Sequence, residues 1–278
     1  MIFKFKNKEF NCEKTRLMGI LNVTPDSFSD GSQFVDPQQA VEHAIEMHEA
    51  GAEIIDIGGE STRPDAPAVS IEEEIRRVIP CLSKIKSIKP EIVVSIDTTK
   101  GKVAEAALSE GADIINDISG LQNDPEIANI AAKHNAGLIL MHMRGTPATM
   151  KALCAYDDLI CEIRNFLINA ADLAISSGVA KENIMLDPGI GFAKDSSQNI
   201  EIMQKIANFT NLEYPLLVGP SRKSFIGEIL HEADPKKRVW GTAGAVAWLA
   251  MKKVAFIRVH DVKEMQEVLM VTQSCAGK

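Results

Sequence analysis

No stretch of this chain approaches 18 uninterrupted apolar residues, so a membrane-spanning helix is not expected. The lysines near the N-terminus lead into no apolar core of the length a secretory signal needs. Cysteine is scarce and unpatterned. The five residues (Cys12, Cys81, Cys154, Cys161, Cys275) are odd in number and contain no C-x-x-C pair, which indicates free thiols in a reducing cytoplasm and argues against a disulfide framework or zinc site. Basic charge is in deficit. With 30 Lys and Arg against 38 Asp and Glu, a net charge of −8, the surface lacks the positive field that phosphate backbones require, so no nucleic-acid partner is expected. A complete dinucleotide fingerprint is missing too: Gly189-Ile190-Gly191 opens one, but Lys194 stands at the third glycine and Pro188 intervenes. His43 and His48 are five apart, off the spacing that would share a zinc. No linker is evident, and 278 residues at 45% hydrophobic can bury one large core, so a single domain over 1–278 is expected.

What the chain does have is a rhythm. Eight short apolar runs (17–21, 53–57, 92–96, 113–118, 137–141, 184–186, 216–218 and 254–259) end at or beside a polar residue: Asn22, Asp56, Asp97, Asn116, His142, Asp187, Ser221 and His260. These stops lie about 34 residues apart on average, near the roughly 31 implied by an eight-unit barrel of ~250 residues. The runs are too short for buried helices and mostly lack polar alternation, as parallel strands covered on both faces do. Helical spacing fills 38–50, 71–88, 103–110, 126–134, 156–177 and 239–251. Asp36-Pro37, Ser70 with Glu73, and Asp124-Pro125 are starting signals, and Gly51, Gly111 and Gly178 are placed as left-handed caps. The pattern predicts an α/β fold, a (β/α)8 TIM barrel over 16–278, with the alternating segment at 1–15 as an N-terminal hairpin closing the bottom. A doubly wound open sheet is the alternative; eight regular units, each with a polar stop, favour the barrel.

In a barrel those stops share one mouth. Arg63, Lys223, Arg258 and His260, with the hydroxyls of Ser61, Thr62 and Ser221, make a local cluster suited to phosphate or carboxylate oxygens. The segment 219–224 also leads toward a helix, whose N-terminal amides favour anions. Asp56, Asp97, Asp187 and Asn116 form the opposite half. A buried carboxylate needs a cation or a ligand rich in N–H donors, so the choice lies between ion pairs across the mouth and a heterocycle with amino and ring N–H groups. Both halves together call for a ligand with a hydrogen-bonding ring at one end and phosphate at the other. Met141, Met143 and Met150 read as core or pocket wall, and Glu72-Glu73-Glu74 as the acidic first turn of a helix.

The order of motifs resembles the dihydropteroate synthase family of pterin-binding barrels. Residues 18–31 (MGILNVTPDSFSDG) are similar to its first signature and residues 56–64 (DIGGESTRP) to its second. Further matches are Ser95-Ile96-Asp97-Thr98, Ile115-Asn116-Asp117, Leu140-Met141-His142-Met143 with Gly145-Thr146-Pro147, residues 187–192 (DPGIGF), 221–225 (SRKSF) and 258–262 (RVHDV). They fall in family order across nearly the whole chain. Asp65 and Ala193 depart from the pattern, each standing where glycine is common.

The resemblance implies that Asp97, Asn116, Asp187 and Lys223 hold the pterin, with Met141 and Phe192 lining its slot. It assigns Asn22, Arg258 and His260 to diphosphate, Asn22 also to Mg2+ as the cofactor, and Thr62, Arg63, Pro64 and Ser221 to p-aminobenzoate. Asp97, Asp187, Lys223, Arg258 and His260 are the implied catalytic set, and loops 24–31 and 61–66 would close over the reactants. The implied reaction joins 6-hydroxymethyl-7,8-dihydropterin diphosphate to p-aminobenzoate by an SN1-like displacement, in folate biosynthesis, in a cytoplasmic homodimer that sulfonamides target. Two other functions fit the same fold less well. A methyltransferase using methyltetrahydrofolate has no use for the cations at 221–223 and 258–260, and a non-catalytic pterin-binding paralogue would be expected to have lost Arg63, Lys223 or Arg258.

Overall fold

Each of the eight apolar runs becomes a strand of one sheet. The computed structural model describes residues 1–24, 37–61 and 68–277. An antiparallel pair, β1 (Ile2–Phe5) and β2 (Lys8–Asn11), precedes eight parallel strands: β3 (Arg16–Asn22), β4 (Ala52–Gly58), β5 (Val93–Asp97), β6 (Ile114–Asp117), β7 (Gly137–Met141), β8 (Ile184–Asp187), β9 (Leu217–Val218) and β10 (Phe256–Val259). They adjoin in the order β8-β7-β6-β5-β4-β3-β10-β9, and a parallel bridge between Leu186 and Leu216 joins the two ends. The sheet therefore curls into a nearly closed barrel whose two end strands meet at that bridge.

The helices around it are α1 (Pro37–Glu49), α2 (Ile71–Ile88), α3 (Gly101–Ser109), α4 (Glu126–Lys133), α5 (Leu159–Ser176), α6 (Ser196–Gln204), α7 (Ala207–Thr210), α8 (Ser224–Leu230), α9 (Val239–Met251) and α10 (Val262–Cys275). Local signals set their ends. Ser70 Oγ accepts from the Glu73 amide at 3.2 Å at the start of α2, and Gly51, Gly111 and Gly178 take φ of 111°, 107° and 98° where the chain turns from helix toward strand. Helices α6, α7 and α10 were not expected from the spacing. They present few buried apolar residues, for example Val262, Met265 and Leu269 in α10, so their periodicity is faint.

The hairpin does close the bottom, over a shorter span than 1–15. Phe3 and Phe5 of β1 are fully buried against Met18, Ile54, Ile139 and Met185, which point into the barrel. Gly137, the first residue of β7, makes room for this plug: a Cβ there would lie 2.7 Å from Phe3 Cζ. A second, larger apolar cluster packs the outer barrel face against the helices. With the lower end plugged, the open end lies at the strands' C-termini.

Candidate active site

Strand register decides which polar stops meet. Asn22 lies opposite Gly58, Gly58 opposite Asp97, and Asp97 opposite Asn116; further round the barrel, Met141 lies opposite Asp187. Asp56 sits two residues below Gly58 on the same strand face, fully buried. From the other side Arg258 of β10 reaches across. Its Nε donates to Asp56 Oδ2 at 2.7 Å and its Nη2 to Asp97 Oδ2 at 2.8 Å, while Asn116 Nδ2 donates to the same Asp56 oxygen at 3.0 Å. Two carboxylates thus share one guanidinium. Burial pushes the Asp97 carboxyl above its ordinary range; Arg258 opposes the shift and the Asp56 carboxylate adds to it.

The facing wall is built on the turn after β8. Asp187 Oδ1 accepts from the Gly189 amide at 2.7 Å, and burial raises its carboxyl to about 6 despite that bond and the nearby Lys223. Glycine is required at 189, since φ is 73° and a Cβ would stand 2.0 Å from the His142 carbonyl oxygen. Gly191, with φ of 85°, leaves space for the Lys223 stem, which a Cβ would meet at 2.8 Å. Lys223 Nζ then rests 4.2 Å from the Phe192 ring centroid, a cation–π contact. Burial, with Arg258 as a neighbouring cation, lowers its ammonium to about 8. Beside Phe192, the buried Ile118, Met141, Met143 and Met150 complete an apolar slot wall, so the methionines are wall and core.

At the rim, Ser221 Oγ lies 2.9 Å from His260 Nδ1 and accepts from the His260 amide at 3.2 Å. The loop carrying Ser221 and Lys223 is tied down behind. Arg222, at φ of 59°, forks onto the Asp261 carboxylate, and Arg238 Nη1 donates to the Arg222 carbonyl at 3.0 Å.

The structure brings together Asn22, Asp97, Asn116, Met141, Asp187, Phe192, Ser221, Lys223, Arg258 and His260 at one mouth. Thr62, Arg63 and Pro64, the Asp65 departure and most of the 24–31 loop lie outside the described residues. The other departure, Ala193, takes a left-handed φ of 49°, the conformation that glycine adopts without strain. Two findings sharpen the sequence reading. Asp56, read only as one of the acidic stops, is the deepest anchor of Arg258. Glu74 lies in the acidic first turn of α2 as read, and is in addition buried and holds Lys100, whose Nζ also donates to Glu60 Oε2 at 2.6 Å. Among the described residues no group of three or more His, Cys, Asp or Glu could hold a metal, and no helix is long and apolar enough to cross a membrane. All five cysteines are free thiols.

These ionisations predict a pH profile. Asp187 loses its proton near pH 6, and Asp97 above the ordinary carboxylate range, whereas Lys223 keeps its charge up to about pH 8. If binding needs both carboxylates ionised and the lysine charged, kcat/KM rises as pH increases through about 6 to about 7, where Asp97 ionises last, and falls beyond about 8. A profile flat across that range would contradict these roles.

Fold and site define a (β/α)8-barrel enzyme whose mouth combines a carboxylate-lined ring slot with a cationic rim. The chain belongs to the pterin binding enzyme family, whose model matches residues 18–260, and within it to the dihydropteroate synthases. The dihydropteroate synthase of Synechocystis sp. is 50% identical over 262 residues, covering 94% of this chain and 90% of that protein. The structure of Yersinia pestis dihydropteroate synthase with a sulfonamide drug complex aligns over 100% of both chains at a TM-score of 0.93 and 39% identity. That of the Xanthomonas albilineans enzyme with 4-aminobenzoic acid aligns over 100% of this chain and 98% of that one, at a TM-score of 0.92 and 36% identity.

Proposed function

We propose that this mouth condenses 6-hydroxymethyl-7,8-dihydropterin diphosphate with p-aminobenzoate to give 7,8-dihydropteroate and diphosphate, a step of folate biosynthesis. The observation that carries the reading is the convergence of Asp97, Asn116, Asp187 and Lys223 on one slot beside Phe192, with Arg258, His260 and Ser221 at its rim. Carboxylates match a ring edge of amino and N–H donors, and the amide of Asn116 offers a donor and an acceptor. Lys223 supplies the complementary donor for the ring's carbonyl side, with Met141 and Phe192 against its faces.

In the chemistry this arrangement favours, the C–O bond to diphosphate breaks first and its electron pair leaves with the diphosphate. The electron-rich dihydropterin delocalises the resulting cation, and the negative potential of Asp97 and Asp187 stabilises it. Arg258 and His260 meet the charge on the leaving group. The neutral arylamine then donates its lone pair to form the C–N bond, and its proton passes to solvent. No strong base is needed for that step, because the arylamine is already neutral. Asn22, whose Oδ1 would lie 3.5 Å from a Cβ on Gly58, suits Mg2+ as a single protein oxygen, because this ion takes its remaining ligands from phosphate and water. Bound there, Mg2+ would neutralise diphosphate charge. Thr62, Arg63, Pro64 and Ser221 are the proposed neighbours of p-aminobenzoate, the position a sulfonamide would compete for.

The test is diphosphate release by the purified protein with Mg2+ and both substrates. Release that requires p-aminobenzoate supports the synthase; methyl transfer from methyltetrahydrofolate without diphosphate release would favour the rival barrel chemistry, and pterin binding without turnover the non-catalytic one.

A homodimer through the late helices belongs to the same proposal, as does a cytoplasmic location, which the free thiols fit. Ile229 is 58%, Trp240 80% and Met251 63% exposed, beside an apolar groove of about 260 Å³ lined by Phe225, Ile226, Ala245 and Trp248. Exposed apolar area of this kind marks association surfaces. Light scattering should give twice the chain mass of 30.3 kDa, and Ile229→Asp with Trp240→Ser should reduce it to one chain. A wild-type protein of single-chain mass at micromolar concentration would remove the dimer.

A further inference from the structure

Lys194 is a lysine that the proposed chemistry does not use, and it is almost wholly buried, at 7% exposure. Burial lowers the ammonium to about 7, with Asp187 opposing the shift; in the charged form its three protons meet three close acceptors. Nζ lies 2.8 Å from the Phe192 carbonyl oxygen, 3.0 Å from that of Gly189 and 3.0 Å from His142 Nδ1, with the His142 carbonyl oxygen at 3.4 Å. For Nδ1 to accept, the His142 ring must be neutral with its proton on Nε2. Its surroundings enforce this: burial, with the cations of Lys194 and Arg144, pushes the imidazole down to about 2. His142 is fixed in turn by Phe166, whose ring stands edge-on at 4.9 Å.

The cage closes around the turn that builds the slot wall. Three residues in five, Gly189, Gly191 and Ala193, have positive φ, so the carbonyls of this turn cannot pair along a regular ladder. Lys194 takes two of them; Tyr156 Oη donates to a third, that of Ala193, at 2.9 Å, and Asn199 Oδ1 accepts from the Gly191 amide at 2.7 Å. Residues held here carry ligand-facing groups at both ends. Gly189 donates its amide to Asp187 Oδ1, and Phe192 bears the ring on which Lys223 rests.

We infer that Lys194 and neutral His142 form a positioning pair that holds the 187–193 turn, and so sets the Asp187 carboxylate and the Phe192 ring for the pterin. Neither side chain is among the proposed pterin, diphosphate or p-aminobenzoate contacts. The inference rests on the proposed pterin slot and goes beyond it, because it assigns a specific effect to residues outside that slot. A purely structural lysine would alter stability and leave the kinetic constants of the folded enzyme unchanged, whereas a positioning lysine splits them by substrate.

The test compares Lys194→Met, His142→Leu and His142→Asn with wild type, measuring KM for the dihydropterin diphosphate and for p-aminobenzoate separately. Wild-type turnover judges the proposed function; the ratios of variant to wild type judge only this inference. Lys194→Met keeps the stem and removes the ammonium. It should raise the pterin KM about ten- to hundredfold, the scale of a small misplacement in a site, with the p-aminobenzoate KM within about twofold. Should Lys194→Met not fold, the histidine pair decides. His142→Leu removes the acceptor and should raise the pterin KM, while His142→Asn, whose amide oxygen can replace Nδ1, should stay near wild type. A folded Lys194→Met with unchanged pterin KM, equal changes for both substrates, or His142→Asn as impaired as His142→Leu would overturn the assignment.

Discussion

Lys223→Ala is expected to lower kcat/KM by about 10²- to 10³-fold, the usual cost of removing one preorganised polar group from an active site. The lysine lies between two features that define the slot. Its stem occupies the space that Gly191 leaves, and its ammonium covers Phe192. Truncation removes the donor for the pterin's carbonyl side and withdraws a cation near Asp187, whose proton affinity Lys223 helps to hold down. The acid limb of the pH profile should therefore move to higher pH in the variant. Lys223→Arg should not restore activity, because a planar guanidinium does not fit where a flexible ammonium stem threads past a glycine. Pterin binding, read by fluorescence titration, should weaken in parallel with kcat/KM. A variant with wild-type pterin affinity and turnover would remove Lys223 from the site.

The second large effect concerns stability as well as rate. Arg258→Ala should abolish measurable turnover and destabilise the fold by about 3 kcal/mol, the low end of what breaking a buried ion pair costs. Asp56 is fully buried and its Oδ1 has no partner among the described residues, so without Arg258 only Asn116 is left on that carboxylate. Asp97 would lose the guanidinium that opposes its protonation. Adding Asp97→Asn to Arg258→Ala should recover part of the lost stability while leaving activity absent, because the cost of protonating that buried carboxyl on folding is then gone. Urea midpoints compare the three proteins. Equal stability of Arg258→Ala and wild type would mean that the shared guanidinium is not the counterion of these two carboxylates.

The barrel was legible because its strands are fully buried, and full burial writes itself into sequence as short apolar runs. Even β9, two residues long, lies within the expected run 216–218. The polar stops were legible for a related reason: a side chain that must face a ligand cannot be apolar, so each interrupts its run visibly. Helices α6 and α10 left fainter marks, since each buries only a narrow stripe against the barrel. What could not be read was the pairing within the mouth. Arg258 meets Asp56 across 202 residues and Asp97 across 161, and only barrel closure and register decide that these two carboxylates share it. Lys194 escaped for a different reason. Its partners are chiefly backbone carbonyls freed by positive-φ residues, and a carbonyl cage leaves no side-chain pattern, so the lysine read simply as an interruption of a glycine motif. His142, by contrast, stands just past a strand's end as expected, and its partner there is that lysine.

Mass-spectrometric detection of 7,8-dihydropteroate, formed by the purified protein from dihydropterin 6-hydroxymethyl diphosphate and p-aminobenzoate with Mg2+, decides whether this mouth carries out the condensation. Catalytic turnover is expected, one product per diphosphate released, competed by a sulfonamide and lowered about 10²- to 10³-fold in Lys223→Ala. Folded wild-type protein that binds the pterin and forms no dihydropteroate would contradict the proposed function.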